Sequence, residues 1–175
     1  AILSGVIVAL LSRRASGSPP DPSLGPVTRI TADPGLTTEP RISRDGRLIV
    51  YASNRGTDGQ LDLWLQQTTG GRAIRLTSDA SDDRQPDISP DGSLIAYTRF
   101  ERCYRCTGIW VINADGTGQH EISLSGRRPD FSPDGTKIAL SLNDPQVVDL
   151  DGQPVVHGAG AYVSWSPHGR FIAYT

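Results

Sequence analysis

Few side chains in this 175-residue sequence are spaced for chemistry, and the tightest grouping is Cys103-Tyr-Arg-Cys106. A structural zinc site takes about four ligands, yet there is no second cysteine pair, and His120, His157 and His168 stand on other segments. A thioredoxin-like redox pair opens a helix in a βαβ setting, whereas this pair sits between two strand-like runs. The expectation is a structural loop, or a local Cys103–Cys106 disulfide if the compartment is oxidising. Redox and metal roles are the alternatives.

Asp79, Asp82 and Asp83, followed by Arg84, form a second grouping. Hard cations want about six to eight oxygen ligands, so a solvated, charged connection is expected here, with a cation site as the alternative. Trp64 and Trp110 lie on apolar runs that read as strands, and with Trp165 they are expected to pack a core, ahead of stacking on a ligand. No histidine has a serine or cysteine partner in a recognisable arrangement. A Gly-x-Ser-x-Gly elbow and a phosphate loop are both missing from the sequence. These residues predict no catalytic machinery, no cofactor and no metal.

The elements around these residues follow from composition and repetition. With 37% hydrophobic and 21% charged residues the chain can bury a core. Its 17 basic and 19 acidic residues leave a charge of -2, which is no electrostatic footprint for nucleic acid. Lys137 is the only lysine, methionine is absent, and the sequence opens inside an apolar run and stops inside a repeat, so it reads as an internal fragment of a longer protein.

Residues 1–14 begin AILSGVIVALL and end at Arg13 and Arg14. This run of eleven residues, interrupted only by Ser4 and Gly5, is too short for a bilayer, which takes about 20. It suits the second half of a transmembrane helix with the arginines at headgroup level, a signal peptide and a buried soluble segment being the other readings. Residues 15–26, rich in Ser, Pro and Gly, predict a semi-extended tether.

From residue 27 the chain repeats itself. PRISRDGRLIVY at Pro40 returns as PDISPDGSLIAY at Pro86, PDFSPDGTKIAL at Pro129 and VSWSPHGRFIAY at Val163, with spacings of 46, 43 and 34. At the offset of 46, Arg29, Tyr51 and Trp64 pair without a gap with Arg75, Tyr97 and Trp110. Each unit predicts a four-stranded antiparallel sheet. A hairpin turn carries proline to fix φ, aspartate to bond the local backbone and glycine to take the left-handed conformation. The turn residues are Asp45 and Gly46; Pro90, Asp91 and Gly92; Pro133, Asp134 and Gly135; Pro167 and Gly169. The strand after each turn is branched and apolar enough to be buried on both faces, and the fourth strand is polar, as at an outer edge. One such unit cannot cover its own faces, so units pack radially into a propeller.

The expectation is an all-β, partial β-propeller over residues 27–175, with two full blades, one short blade and the start of a fourth. Residues 27–31 match a fourth strand, so they are expected to complete a blade. Gln146 replaces the tryptophan of the third unit and its middle loop shrinks, which predicts that blade to be the least regular.

The motif Pro-x-Ile/Phe-Ser-Pro-Asp-Gly-x-x-Ile-Ala-Tyr, followed by Ile-Trp-Val and Asn-Ala-Asp-Gly, resembles the WD-like repeat of TolB-type propellers. That resemblance implies a non-catalytic binding or sensing module, with a protein partner or small ligand held on loops such as residues 54–60 and 99–107. The order of apolar segment, arginines, linker and first blade is similar to membrane-anchored bacterial signalling proteins, in which a kinase or winged-helix domain precedes the membrane helix. The implied location is the cell membrane, with the propeller on the periplasmic side. The alternatives are the propeller gate of a prolyl-oligopeptidase-type serine peptidase and a periplasmic TolB-like scaffold.

Overall fold

Each repeat folds as its turn signal and flanking apolar runs require. The computed structural model describes residues 29–32, 35–56, 59–101, 107–141, 146–157 and 162–174. The apolar segment and linker expected over 1–26, and the loop carrying Cys103 and Cys106, lie outside the described residues.

The first sheet contains β1 (Thr37–Ile42), β2 (Leu48–Ser53), β3 (Asp62–Gln67) and β4 (Ile74–Arg75), and the second β5 (Asp82–Ile88), β6 (Leu94–Phe100), β7 (Thr107–Asn113) and β8 (His120–Ser123). The third is built from β9 (Arg127–Phe131), β10 (Lys137–Ser141), β11 (Gln146–Asp149) and β12 (Pro154–His157), and β13 (Val163–Trp165) pairs with β14 (Ile172–Tyr174). Strands are ordered in space as in sequence, and every pairing is antiparallel. The chain is all-β over the described residues, and its four-stranded sheets are propeller blades. Each blade is a meander, in which hairpins satisfy the backbone groups locally.

The turn between β5 and β6 shows why the repeat keeps Ser-Pro-Asp-Gly. Ser89 Oγ donates to Asp91 Oδ1 at 2.6 Å, Asp91 accepts the Ser93 N–H at 3.1 Å, and Gly92 N–H closes the turn on Ser89 O at 2.9 Å. Gly92 has φ 76°, where a Cβ would be strained. The same serine–aspartate bond recurs between Ser43 and Asp45 and between Ser132 and Asp134. These bonds hold the carboxylates ionised: the Ser132 hydroxyl, the Thr136 N–H and the Thr136 hydroxyl lower Asp134 to about 2.

The core lies between sheets. Val50, Ala52, Leu63 and Leu65 of the first blade meet Ile88, Ile95, Tyr97 and Ile112 of the second. Ala96, Ile109 and Val111 meet Phe131, Ile138, Leu140 and Val148 of the third. Because alternate residues of β6 point to opposite sides, Ile95 and Tyr97 face one neighbour while Ala96 faces the other. Each fully buried aliphatic chain contributes about 2 kcal/mol of transfer free energy, which makes the stacking of blades the main source of stability.

One expectation is corrected. Asp82, Asp83 and Arg84 are no solvated connection; they open β5, and Asp83 is 0% exposed. Its cost of burial is met by Arg99, whose Nε and Nη2 reach the two carboxylate oxygens at 2.9 and 3.0 Å. Residues 29–32 form no strand with the described residues, and residues 27 and 28 of the expected fourth strand lie outside them. The third blade has its four strands despite the short repeat, with residues of β12 exposed along their whole length.

Candidate functional site at the axial mouth

The first strand of each blade approaches the first strand of the next, β1 against β5 and β5 against β9, so these strands line the inner rim. Each carries a Pro-x-apolar-Ser run, and just before the proline stand Glu39, Gln85 and Arg128. All three have left-handed backbones, at φ 53°, 54° and 49°, a conformation costing on the order of 1 kcal/mol for a residue with a Cβ. At the same place each first strand shifts register against its partner. A bulge of this kind re-aims a side chain out of the sheet. Tyr162 occupies the corresponding position of the fourth repeat and is 56% exposed.

These residues are joined from blade to blade. Glu39 Oε2 accepts the backbone N–H of Gln85 at 3.0 Å. Gln85 Oε1 in turn accepts the backbone N–H of Arg128 at 3.3 Å and the Thr98 hydroxyl at 3.1 Å. Arg128 has no acceptor to continue the series, and its guanidinium stands 5.3 Å from the Tyr162 ring centre. Between them Glu39, Pro40, Arg41, Gln85, Pro86 and Arg128 border a cleft of about 190 Å³.

One step further along the strands a second set of bonds runs between blades. Asp87 Oδ2 accepts the Phe131 N–H at 2.8 Å, and Asp130 Oδ2 accepts the Trp165 N–H at 2.9 Å. The Trp165 indole N–H donates to Asp130 O at 3.1 Å, so this tryptophan ties one blade to the next. In the first blade the position holds Arg41, which cannot accept, and instead points its guanidinium at Asp87 across 3.8 Å. Burial pushes the Asp87 carboxyl up to about 6, against the opposing pull of the Phe131 N–H and Arg41.

The mouth is cationic although the chain as a whole is not. Arg84 pairs with Glu39 at 3.3 Å and lies 5.5 Å from the centre of the Phe100 ring. Arg127, its equivalent in the third blade, lies 5.2 Å from the same ring. Arg127 and Arg128 are exposed and have no carboxylate partner among the described residues.

Away from the axis, Trp64 and Trp110 are half-buried, Trp110 against the core of the first two blades, and each carries an arginine on its open side. Arg55 lies 4.0 Å from the Trp64 ring and Arg99 4.3 Å from the Trp110 ring. Asp82 and Asp83 are occupied by the Leu61 N–H at 2.9 Å and by Arg99, and Asp79 also pairs with Arg99. Among the described residues no three His, Cys, Asp or Glu side chains are grouped to hold a metal ion. No helix among them is long and apolar enough to cross a membrane.

Sequence reasoning passed over Glu39, Gln85, Arg128 and Tyr162. Their signal was one varying position before a recurring run that opens with proline in the first three repeats and with Val163 in the fourth. It also passed over Arg99 and Arg127, which only the fold brings against their rings.

No family model and no curated protein matches the chain. Solved structures do. TolB from Acinetobacter baumannii superposes with a TM-score of 0.61 at 22% identity over 75% of this chain and 35% of that one. A TolB from Agrobacterium tumefaciens gives 0.61 at 24% identity over 83% and 61%. The fold is that of a TolB-like β-propeller. The tricorn protease shares it, at a TM-score of 0.59 and 19% identity over 76% of this chain and 14% of that one. The TolB-like propeller described here thus spans 35% and 61% of the two TolB chains.

Proposed function

We propose that this TolB-like propeller is a non-catalytic recognition module, reading a protein segment or small ligand at its axial mouth. The observation that carries the reading is the set Glu39, Gln85, Arg128 and Tyr162. One scaffold position, held in three blades by the same proline-containing run and the same left-handed bulge and followed in the fourth repeat by Val163, presents an acid, an amide, a guanidinium and a phenol. A purely structural position has no need of four chemistries, whereas a binding face does. Rigid strands hold these side chains at little entropic cost on binding.

The apolar segment of residues 1–14, with the linker after it, supports a membrane tether for the module, and the resemblance to membrane-anchored bacterial signalling proteins supports its extracytoplasmic side, whereas Arg13 and Arg14 by themselves favour a cytoplasmic C-terminal flank. Photo-crosslinking tests the reading. A benzophenone amino acid replaces Tyr162 in the intact protein in its own membranes. One discrete adduct, lost when Gln85 and Arg128 are replaced by alanine, is the expected result. Diffuse labelling that ignores those substitutions would count against recognition at the mouth.

A second reading is favoured by the likeness to the tricorn protease: the propeller gates access to a hydrolase. In that case widening the mouth by Arg128→Gly in the intact protein raises cleavage of longer peptides, with no discrete adduct at position 162.

A further inference from the structure

The cationic rim has a specific construction, and it deepens the recognition reading on which it rests. From the geometry we infer that Arg127 and Arg128, with Phe100 and Tyr162 behind them, form a seat for the carboxylate groups of an acidic peptide segment. Three observations lead there. Each guanidinium lies within cation–π range of an aromatic ring, Arg127 with Phe100 at 5.2 Å and Arg128 with Tyr162 at 5.3 Å. Such a contact engages the π face of the ring and leaves guanidinium N–H donors for a planar, two-oxygen acceptor. Neither side chain spends those donors on a carboxylate among the described residues.

The neighbouring charges sharpen the point. Arg84 converges on the same Phe100 ring as Arg127, so two like charges share one platform. Glu39 neutralises Arg84, Asp87 faces Arg41, and Asp130 is taken by the Trp165 N–H. Asp130 keeps its own charge while accepting that N–H, and Arg127 and Arg128 together outweigh it, so they hold the surplus positive charge of the rim in a chain whose overall charge is -2. The half-exposed Tyr162 ring beside Arg128 offers apolar contact to the stem of a glutamate or to the residue next to it. A peptide is the favoured occupant because the two arginines face different rings, and a segment bearing two carboxylates spans both.

Fluorescence anisotropy on the full chain tests the seat, with a labelled hexaglutamate peptide, its hexalysine counterpart, and unlabelled citrate as competitor. Hexaglutamate is expected to bind at low ionic strength and to weaken as salt rises, with hexalysine not binding. The double variant Arg127→Gln with Arg128→Gly weakens hexaglutamate at least tenfold. Arg128→Gly removes a side chain from a left-handed backbone, so the variant keeps its melting temperature and the loss is not one of folding. Glu39→Gln frees Arg84 and strengthens binding severalfold, an effect that a merely structural Glu39 would not produce. Displacement by citrate supports carboxylate recognition. Binding of citrate without hexaglutamate overturns the peptide as occupant, and equal affinity for hexalysine or indifference to the double variant overturns the seat. A Tyr162 adduct that persists in that double variant, with no hexaglutamate binding, separates failure of the seat from failure of the recognition reading.

Discussion

Arg99 lies 4.3 Å from the centre of the Trp110 ring while its Nε and Nη2 reach both carboxylate oxygens of Asp83. The first blade places Arg55 over Trp64 in the same way, yet Arg55 corresponds in the repeat to Glu101 and Arg99 to Ser53. The guanidinium cap on the tryptophan is thus kept in space and supplied from different positions in sequence. What differs is the acid beneath, for Thr37 stands where Asp83 stands and bonds the Ser53 hydroxyl at 3.0 Å.

Arg99→Ala strands a buried carboxylate and should cost about 3 kcal/mol or more. Arg99→Ala combined with Asp83→Asn should recover a large part of that loss. Urea unfolding of the two singles and the double measures the coupling, and simple additivity would refute an ion pair at this site.

Arg128→Gly should leave stability within about 0.5 kcal/mol of the parent, since φ 49° suits glycine, the contact with Tyr162 is lost, and the exposed side chain makes no hydrogen bond among the described residues. Arg128→Val should lower it by more than 1 kcal/mol, a branched Cβ being poorly accommodated there. Thermal melts of both variants check the order.

Gly152 and Gly46 share a positive φ, at 79° and 73°, but not a neighbourhood. A Cβ on Gly152 would come within 2.2 Å of the Ile122 carbonyl oxygen across the blade interface, whereas one on Gly46 meets nothing within 4 Å. Gly46→Ala should cost about 1 kcal/mol, and Gly152→Ala at least twice that, because backbone must move. Equal melting temperatures for the two would disprove the close approach of β8 and the β11–β12 turn.

Acid should act in two opposite steps. Asp87 has a folded pKa of about 6 against an ordinary 3.8, so between those values the unfolded chain has released a proton that the folded chain retains. Stability therefore rises as pH falls from about 6 to about 4, by on the order of 2 kcal/mol. The turn carboxylates Asp45, Asp91 and Asp134 are held below the ordinary value, chiefly by their serine hydroxyls. They reverse the trend below about pH 4, where they must be protonated. Asp87→Asn should shrink the first step, leaving what buried Asp83, also pushed up by burial, contributes in the same direction, and should keep the second, as read from denaturant midpoints across pH.

The blades were legible before any coordinates because their determinants are local. A serine–proline–aspartate–glycine turn closes on itself within four residues, and the apolar run after it has the length and branching of a strand. The tryptophans were legible as recurring positions but not as capped ones, since Arg55 and Arg99 break the repeat that would have announced them. Asp83 was misread for a related reason. A run of acids signals solvent unless a cation arrives from elsewhere, and Arg99 stands 16 residues away.

The sequence by itself determined the strand order, the turns and the stacking of one blade on the next, because period, turn chemistry and apolar alternation are written along the chain. Only the tertiary structure decided that Glu39, Gln85, Arg128 and Tyr162 share one rim and that Arg127 and Arg128 carry its unpaired charge. Those residues lie on successive repeats and share no local motif. They are brought together by the radial packing of blades, which buries the strands' apolar faces and leaves the bulged residue of each inner strand facing the axis.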